Sequence, residues 1–269
     1  MVPGKPRVVE GALVKKIAVI GAQGFVGSAF VRQLRILGHF PEEVGRNNFI
    51  SHSGKQWDLV IDAAGSSRKY IADQAPWKDF AQSVGHKAAV LERYPTQLHI
   101  HISSADVYAN LTSPDTTKET SPVGCSASPY GFHKWMAEEL VRYHCDHYLI
   151  FRLAGMVGPA MKKNPVFDIL QGMELRIHPE SRYQFLGTDD AARICLDLWL
   201  KGIDMEIFNV CGKGLITPGK IAELAGRKVR LGEADQPRIV DVNIHKLESK
   251  TEVPRTLNTI QTFIKNYTH

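Results

Sequence analysis

The sequence predicts an α/β fold built on a doubly wound parallel sheet. Short, continuous apolar runs, typical of strands buried on both faces, alternate along the chain with stretches of helical periodicity. The first run, KIAVI at 16–20, leads through the glycine-rich turn GAQGFVG into a helical pattern over 28–38 that ends at a glycine. Such sheets bind their ligands beyond the carboxyl ends of the strands.

The later elements continue this alternation. Further buried-strand runs are DLVIDAAG (58–65), LHIHISS (98–104), YLIFRL (148–153) and EIFNV (206–210), and helical patterns lie near 77–93, 130–144 and 189–201. Residues 1–14, with two prolines and two glycines, are predicted to be an N-terminal extension outside the fold. The rest divides into a main, sheet-forming domain at 15–155, completed by about 183–211, and a small C-terminal substrate-binding lobe formed by 156–182 and 212–269.

Composition narrows the class of protein. At 269 residues and 43% hydrophobic composition, the chain can bury one sizeable core. Its four cysteines form no CxxC pair, which fits a reducing compartment and predicts a cytoplasmic protein. No apolar run reaches the length of about 18 residues that a membrane span needs, so we expect no membrane partner. The net charge of +5 is dispersed, which suits an anionic small-molecule substrate, and no basic tract with interleaved aromatics indicates nucleic acid.

The glycine-rich turn predicts a nucleotide cofactor. In GAQGFVG, Gly21 would allow the tight turn, Gly24 a close approach of the backbone to a pyrophosphate, and Gly27 close packing of the helix on the strand. The last three residues of the second buried run, 63–65, reach the same sheet edge and are counted among the cofactor contacts. The predicted contacts at this edge are Gly21, Gly24, Phe25, Val26, Gly27, Ala63, Ala64 and Gly65.

The stretch SPYGFHKWMAEEL predicts a helix that carries acid/base chemistry. Ser128 is a good N-cap and Pro129 a good first helical residue. Positions i and i+4 share a helix face, so Tyr130 and Lys134 are expected to point into the same space. An ammonium beside a phenol favours the phenolate, which lowers the phenol's pKa and suits it to proton transfer.

Three stretches together resemble a known family. GAQGFVG, ISSADVYA (102–109) and YGFHK (130–134) are similar in order and spacing to the extended short-chain dehydrogenase/reductases, the NAD-dependent epimerase/dehydratase group of nucleotide-sugar epimerases, dehydratases and 4-keto-sugar reductases. The resemblance extends over nearly everything after Lys15 and implies a Rossmann fold for the main domain. It also implies an oxidoreductase that moves a hydride between a nicotinamide cofactor and a carbonyl or hydroxyl, on a nucleotide-sugar or similar sugar-like substrate.

The resemblance assigns catalytic roles. Tyr130 would be the general acid/base, and Lys134 would hydrogen-bond the nicotinamide ribose and hold the pKa of the tyrosine down. Ser104 would hydrogen-bond the reacting oxygen of the substrate, with Ser103 as the other reading of the register.

Departures from the family pattern bear on the cofactor. Gly45 stands where an NAD enzyme carries an acidic residue, and Arg46 follows it, which favours NADP and leaves NAD open. The segment HFPEEVGRNN (39–48) is a poor strand, and only eleven residues separate Arg46 from Asp58, so the third strand and its helix are expected to be shortened or missing.

Other departures bear on the reaction. Ala105 occupies the position of the dehydratases' general-acid aspartate, which argues against 4,6-dehydration. A shortened third strand would leave the adenine end of the cofactor site open. A weakly held cofactor suits a reductase or dehydrogenase, which exchanges its cofactor in every turnover. An NAD-dependent nucleotide-sugar epimerase and a non-catalytic nucleotide-binding Rossmann protein are the alternatives. Gly155 stands where epimerases usually have an asparagine.

A few residues bear on substrate binding, metal binding and assembly. Besides Ser104, the expected substrate contacts are Arg182, which matches an arginine that binds substrate pyrophosphate, and Asn164. We expect no metal, because the histidines of HIH (99–101) and HCDH (144–147) are explained by helix contact and solvation. Asp189 is expected to cap the helix near 189–201. By analogy with the family, the helices near 77–93 and 130–144 would pair into a homodimer.

Overall fold

A six-stranded, fully parallel sheet forms the centre of the computed structural model. The structure describes residues 16–124, 128–175, 177–231 and 236–267, so the N-terminal extension predicted at 1–14 lies outside the described residues. In chain order the strands are β1 (Ile17–Ile20), β2 (Glu42–Val44), β3 (Trp57–Asp62), β4 (Thr96–Ser104), β5 (Tyr148–Leu153), β6 (Gly155–Val157), β7 (Glu174–Leu175), β8 (Phe185–Gly187), β9 (Glu206–Val210) and β10 (Arg230–Leu231). The central sheet has the order β2-β1-β3-β4-β5-β9, and β6 with β8 and β7 with β10 form two small pairs.

The helices alternate with these strands as the sequence predicts. They are α1 (Gly27–Ile36), α2 (Lys69–Gln74), α3 (Pro76–Phe80), α4 (His86–Arg93), α5 (Pro129–His144), α6 (Pro165–Leu170), α7 (Thr188–Leu200), α8 (Pro218–Leu224), α9 (His245–Glu248) and α10 (Thr256–Tyr267). A π-helical turn at Ala81–Gly85 joins α3 to α4, so that 76–93 is one continuous helical run.

The register of the parallel strands gathers their carboxyl ends at one edge. Ile20, the last residue of β1, pairs with Asp62, the last residue of β3, and Ser104 at the end of β4 pairs with Leu153 of β5. The segments that follow β1, β3 and β4 therefore meet at this edge, where a doubly wound sheet places its ligand site.

Two layers of helices bury the sheet. Alternate residues of β1 point to opposite faces, as strand geometry requires. Val19 packs in the core that α1 and α7 close, and Leu34 of α1 is fully buried there. On the other face Ile20 packs with Val90 of α4.

A second hydrophobic cluster forms the core of the C-terminal lobe. Its members come from β6, α6, β8, α8 and α10, among them Val157, Val166, Phe185, Ile221 and Ile260. The segment from Val242 to Val253 packs in the main core instead. The domain boundaries given above stay a prediction.

The β2 edge of the sheet is reduced, as the sequence predicts. β2 has three residues, held by its pairing with β1 and by the buried Val44. The chain over 45–56, all of which is described, forms turns and no further strand before β3 begins. Among the described helices none is long and apolar enough to span a bilayer.

Candidate active site

The first turn of α5 presents the tyrosine and the lysine to the sheet edge. The Ser128 side chain accepts a hydrogen bond from the Gly131 N–H at 3.1 Å, and Pro129 is the first helical residue, which confirms the predicted helix start. Lys134 lies one turn further on, with its Nζ 5.6 Å from the centre of the Tyr130 ring. Both side chains are buried against the sheet, Tyr130 with 6% of its surface exposed.

Ser104 completes the group from the end of β4. Its hydroxyl is hydrogen-bonded to Tyr130 and donates to the Asp106 carboxylate at 2.9 Å. The neighbouring Ser103 points away, and its hydroxyl donates to the buried Glu138 at 2.5 Å. Because strand residues alternate in direction, Ser104 and not Ser103 faces Tyr130, and the substrate role of Ser104 stays a prediction.

The electrostatics of Tyr130 differ from the expectation that Lys134 lowers its pKa. Burial raises the pKa of Tyr130, and the negative charges of Asp106 and Asp79 act in the same direction. Only the hydrogen bond to Ser104 opposes them. The physical reason is that a buried phenolate loses its hydration while two carboxylates face it. In this structure Tyr130 is held protonated.

Lys134 is perturbed in the direction that burial dictates. Burial, and second the positive charge of Lys87, lower its pKa to about 8, against the carboxylates of Asp62, Asp79 and Asp106. A Cβ added to Gly65 would lie 3.5 Å from the Lys134 Nζ. The lysine therefore sits directly beneath the segment that follows β3.

The glycine turn has the geometry of a nucleotide cradle. Gly21 has a φ of +78°, and a Cβ there would lie 2.9 Å from the Ala64 nitrogen. A Cβ on Gly27, the first residue of α1, would lie 2.1 Å from the Gly21 carbonyl oxygen. The turn is therefore closed to side chains at both positions. The Ser28 and Ala29 N–H groups of α1 donate to the Gly24 and Val26 carbonyl oxygens, each at 3.0 Å, so the turn and the helix start are tied together by backbone hydrogen bonds.

The remaining predicted cofactor contacts surround this turn. Ala63, Ala64 and Gly65 follow β3, and the Ala64 N–H donates to the Asp62 carboxylate at 3.0 Å. Phe25 is half-buried between the main core and the lobe core, and Val26 packs on the main core. The segments at 21–27 and 63–65 touch each other, so they fit a dinucleotide that crosses the sheet edge.

A group of basic side chains, which the sequence analysis missed, borders Ser104. Lys69 Nζ lies 2.6 Å from the Asp106 carboxylate. Lys163, from the lobe, donates to the Ser67 carbonyl, so it crosses the cleft between the lobe and the segment that follows β3. Burial lowers the pKa of Lys163, and the nearby positive charges of Lys69 and Arg68 also lower it. The sequence signal was the SSRK run directly after the predicted strand.

Arg46 and Arg182, which the family pattern predicts, and the neighbouring Arg238 lie further out. Arg46 is exposed in the turn after β2. Arg182 and Arg238 are also exposed and lie on adjacent backbones, because the Arg182 N–H donates to the Arg238 carbonyl at 2.8 Å. None of the three belongs to the buried group around Tyr130.

Three other positions have structural explanations. Asn164 caps α6, with its side chain accepting from the Phe167 N–H at 2.9 Å and donating to the Met156 carbonyl at 2.9 Å, so a substrate role for it stays a prediction. The expectation that Asp189 caps α7 is wrong. The N-cap is Gly187, and Asp189 forms an ion pair with Arg32 of α1 at 2.8 Å.

Gly155 is required by packing. A Cβ there would lie 2.3 Å from the Gln184 carbonyl oxygen, so the close pairing of β6 with β8 excludes the asparagine that epimerases usually carry.

The histidines set aside as structural are placed as follows. His99 and His101 are buried on the face of β4 that α4 and α5 cover, and His99 contacts Lys87 at 3.3 Å. His147 pairs with Asp204. Within the described ranges no three His, Cys, Asp or Glu side chains converge as a metal site would require.

Solved structures share this fold. A UDP-galactose 4-epimerase superposes with a TM-score of 0.77 at 18% identity, covering 94% of this chain and 98% of that one. RMD from Pseudomonas aeruginosa, complexed with NADPH, gives 0.75 at 17% identity over 94% and 99%. The dTDP-4-dehydrorhamnose reductase from Bacillus anthracis str. Ames, in complex with NADP, gives 0.77 at 15% identity over 96% and 100%.

No curated protein sequence matches the chain. One sequence profile does, and it covers residues 46–211, more than half of the chain. That range contains Ser104, Tyr130 and Lys134, whereas the glycine turn lies before it and is supported by its geometry instead. The chain therefore belongs to the NAD dependent epimerase/dehydratase family.

Proposed function

We propose that this protein is an NADP(H)-dependent oxidoreductase that reduces or oxidises a carbonyl or hydroxyl group on a nucleotide-sugar or similar sugar-like substrate. The observation that carries the proposal is the convergence of Ser104, Tyr130 and Lys134 at the carboxyl edge of the sheet, beside a glycine turn closed to side chains. Hydride transfer needs a proton donor, a hydrogen bond to the reacting oxygen and a nearby cofactor cradle, and this edge offers all three.

The three side chains would have separate roles in the reaction. A bound nicotinamide would supply or accept the hydride at the reacting carbon. Tyr130, held protonated by burial and by its carboxylate neighbours, would give its proton to the oxygen as a carbonyl is reduced. Ser104 would hydrogen-bond the same oxygen, and the Lys134 ammonium would stabilise the tyrosinate that remains.

The reduced sheet edge favours a reductase over an epimerase. An epimerase must keep its cofactor through an oxidation and a reduction, whereas a reductase exchanges it in every turnover. Here the sheet ends at the three-residue β2, and turns occupy 45–56 where further adenine contacts would be expected. Exposed Arg46 in this segment suits a 2′-phosphate. Two of the similar structures are complexed with NADPH and NADP.

The substrate is proposed to be anionic. Arg68, Lys69 and Lys163 gather around the Ser104 end of the cleft, and Asp106 pairs with Lys69 there. Arg68 and Lys69 lie on the main-domain side of the cleft and Lys163 on the lobe side, from which it donates to the Ser67 carbonyl. A phosphate or carboxylate held here would place a sugar-like substrate against Tyr130.

The proposal includes a homodimer formed by α3, α4 and α5. Large aromatic side chains are exposed on α3 and α5, with Trp77 at 83%, Tyr143 at 84% and Phe132 at 39% exposed. Two copies pairing there would bury these rings. Light scattering of the intact protein tests this part, and a monomer at working concentration would remove it.

Cofactor titration tests the function itself. Purified protein is titrated with NADPH and with NADH, following nicotinamide fluorescence, beside Arg46→Ala. Preferential NADPH binding that the variant loses supports the proposal. If neither cofactor binds, nucleotide content decides the alternatives, because retained NAD favours the epimerase and its absence favours the non-catalytic protein. Turnover of 4-keto nucleotide-sugars is screened next.

A further inference from the structure

A buried ion pair lies beneath the proposed site and has no catalytic assignment. Lys87 of α4 is 2% exposed and Asp62 at the end of β3 is fully buried, and the Lys87 ammonium donates to the Asp62 carboxylate. Replacing a buried ion pair by apolar residues is often neutral or stabilising. Stability alone therefore does not explain why a lysine occupies this position.

The pair holds the segment that touches both parts of the site. One oxygen of Asp62 binds Lys87, and the other accepts from the Ala64 N–H at 3.0 Å. Ala64 abuts the glycine turn, because its nitrogen lies 2.9 Å from where a Gly21 Cβ would be. Gly65, with a φ of +118°, lies over the Lys134 Nζ. Anchoring Asp62 thus fixes the backbone between the cofactor cradle and the catalytic lysine.

The pair also dominates the charge around Lys134. Burial is the first cause of the lowered pKa of Lys134, and the positive charge of Lys87 is the second. The groups facing Lys134 are Lys87 from α4, Asp62 from β3, Asp79 from α3, Asp106 after β4, His101 from β4 and Tyr130 from α5 itself.

The protonation states within this cluster follow from burial. Burial lowers the pKa of His99 to about 3 and holds that of His101 well below its usual range, so both imidazoles are neutral near pH 7. Burial alone would raise the pKa of Asp62, but Lys87 and the adjacent histidines bring it below its usual value. Burial also lowers the pKa of Lys87, whereas the charge and the hydrogen bond of Asp62 raise it, so the ion pair is what favours the cationic form of Lys87 near Lys134.

We propose that the buried ion pair of Lys87 and Asp62 is a positioning element of the active site, which fixes the 63–65 segment and holds the charge of Lys87 close to Lys134. The proposal rests on the catalytic role of Lys134 in the proposed function. It assigns no contact between Lys87 and substrate or cofactor. Its effect is transmitted through Asp62, Gly65 and the electrostatic field at Lys134.

A titration of Lys134 itself tests this inference. Intact protein is labelled at the lysine ε carbon and followed by NMR against pH, with the Lys134 signal identified by its loss in Lys134→Arg. In Lys87→Met the midpoint of Lys134 should rise by at least about one pKa unit, a tenfold change in proton affinity, because a cation is removed and Asp62 is left as an unbalanced anion. Lys78→Met, an exposed lysine of α3, is the matched control and should leave the midpoint unchanged.

A second variant guards against loss of folding. The double variant Asp62→Asn/Lys87→Met leaves no unpaired buried charge. It should raise the Lys134 midpoint by less than Lys87→Met alone, because it also removes the Asp62 carboxylate, which favours the protonated form of Lys134. An unchanged midpoint in Lys87→Met overturns the electrostatic half of the inference. If that variant does not fold, NADPH titration of the double variant decides the inference.

The two halves of the proposal have separate readouts. The NMR titration needs neither cofactor nor substrate, so it can succeed even if the protein proves not to be an oxidoreductase. NADPH titration of the double variant then tests whether the ion pair fixes the 63–65 segment. A tenfold or greater loss of NADPH affinity is expected. Wild-type affinity in the double variant would contradict the positioning half.

Discussion

The Ser104 hydroxyl donates its hydrogen to the Asp106 carboxylate, 2.9 Å away, and it is also hydrogen-bonded to Tyr130. A hydroxyl has one hydrogen to donate. In this arrangement Ser104 must turn from Asp106 before it can donate to a substrate oxygen. Asp106, itself paired with Lys69, thus controls both the direction of the serine and the charge that faces the tyrosine.

Removing that charge should make Tyr130 easier to ionise. In Asp106→Asn, the pKa of Tyr130 should fall, because the first of the two carboxylates that oppose the phenolate is gone. Near-ultraviolet absorbance of tyrosinate against pH measures this, with Tyr130→Phe identifying the relevant transition. A Tyr130 titration that does not move would mean that burial and Asp79 set its protonation without Asp106.

Tyr130→Phe should remove turnover while leaving NADPH affinity nearly intact. The ring packing is kept and only the proton donor is lost, so a rate loss of about 10²-fold to 10⁴-fold is expected. Turnover and fluorescence titration of the same preparation provide both numbers. Retained activity would remove Tyr130 from the mechanism.

Gly27→Ala should destabilise the fold and abolish cofactor binding. The new Cβ would lie 2.1 Å from the Gly21 carbonyl oxygen, so α1 or the turn must shift, at an expected loss of about 1–3 kcal/mol or more in the free energy of unfolding. Gly85→Ala is the control. Nothing lies within 4 Å of its Cβ and its φ is −62°, so this change should stabilise by about 0.4–1 kcal/mol. Urea unfolding of both variants separates steric overlap from backbone entropy.

Glu138→Gln should be among the most destabilising charge changes. Glu138 binds Arg152 at 2.7 Å in an interior where both are almost fully buried, and Ser103 and Tyr108 share the network. Removing one partner leaves an uncompensated buried charge, with an expected loss of about 3–5 kcal/mol in the free energy of unfolding.

The adjacent Glu139 provides the control for this change. It pairs with Arg142 on the surface at 2.7 Å, and Glu139→Gln should lose no more than about 0.5 kcal/mol. Equal losses in the two variants, measured by urea unfolding, would mean that the buried network contributes nothing specific.

Acid should unfold this protein through its buried histidines. Burial lowers the folded-state pKa of His99 to about 3, while an unfolded histidine titrates near pH 6.5. Between these values the unfolded chain binds the proton and the folded chain does not, so the free energy of unfolding falls as pH falls, by at most about 1.4 kcal/mol per pH unit from this residue. In His99→Gln, urea unfolding at a series of pH values should show a shallower slope in this window, whatever the change at neutral pH. An unaltered slope would assign the acid sensitivity to other groups.

Much of the fold could be predicted because the strands are buried on both faces. Most residues of IAVI, YLIFRL and EIFNV are apolar, and the observed strands coincide with these three runs. The helix start at Ser128 and Pro129 followed from capping chemistry, which is local.

What the sequence missed depends on contacts between distant segments. The misassigned cap at Asp189 reflects Arg32, more than 150 positions away, which no local rule contains. The raised pKa of Tyr130 depends on burial and on Asp79 from another helix, so spacing to Lys134 alone gave the wrong direction. The basic group with Lys163 likewise arises from the lobe folding back across the cleft.

The short β2 strand has a consequence for solubility. An edge strand exposes unpaired backbone groups that can recruit the edge of another molecule and begin aggregation. Here the edge is three residues long and carries Glu42, exposed, and Glu43, which pairs with Arg35 at 2.5 Å. Glu42 places a charged carboxylate on the open border and Glu43 a charged pair, so that joining the sheets of two identical copies there would require these groups to lose their hydration.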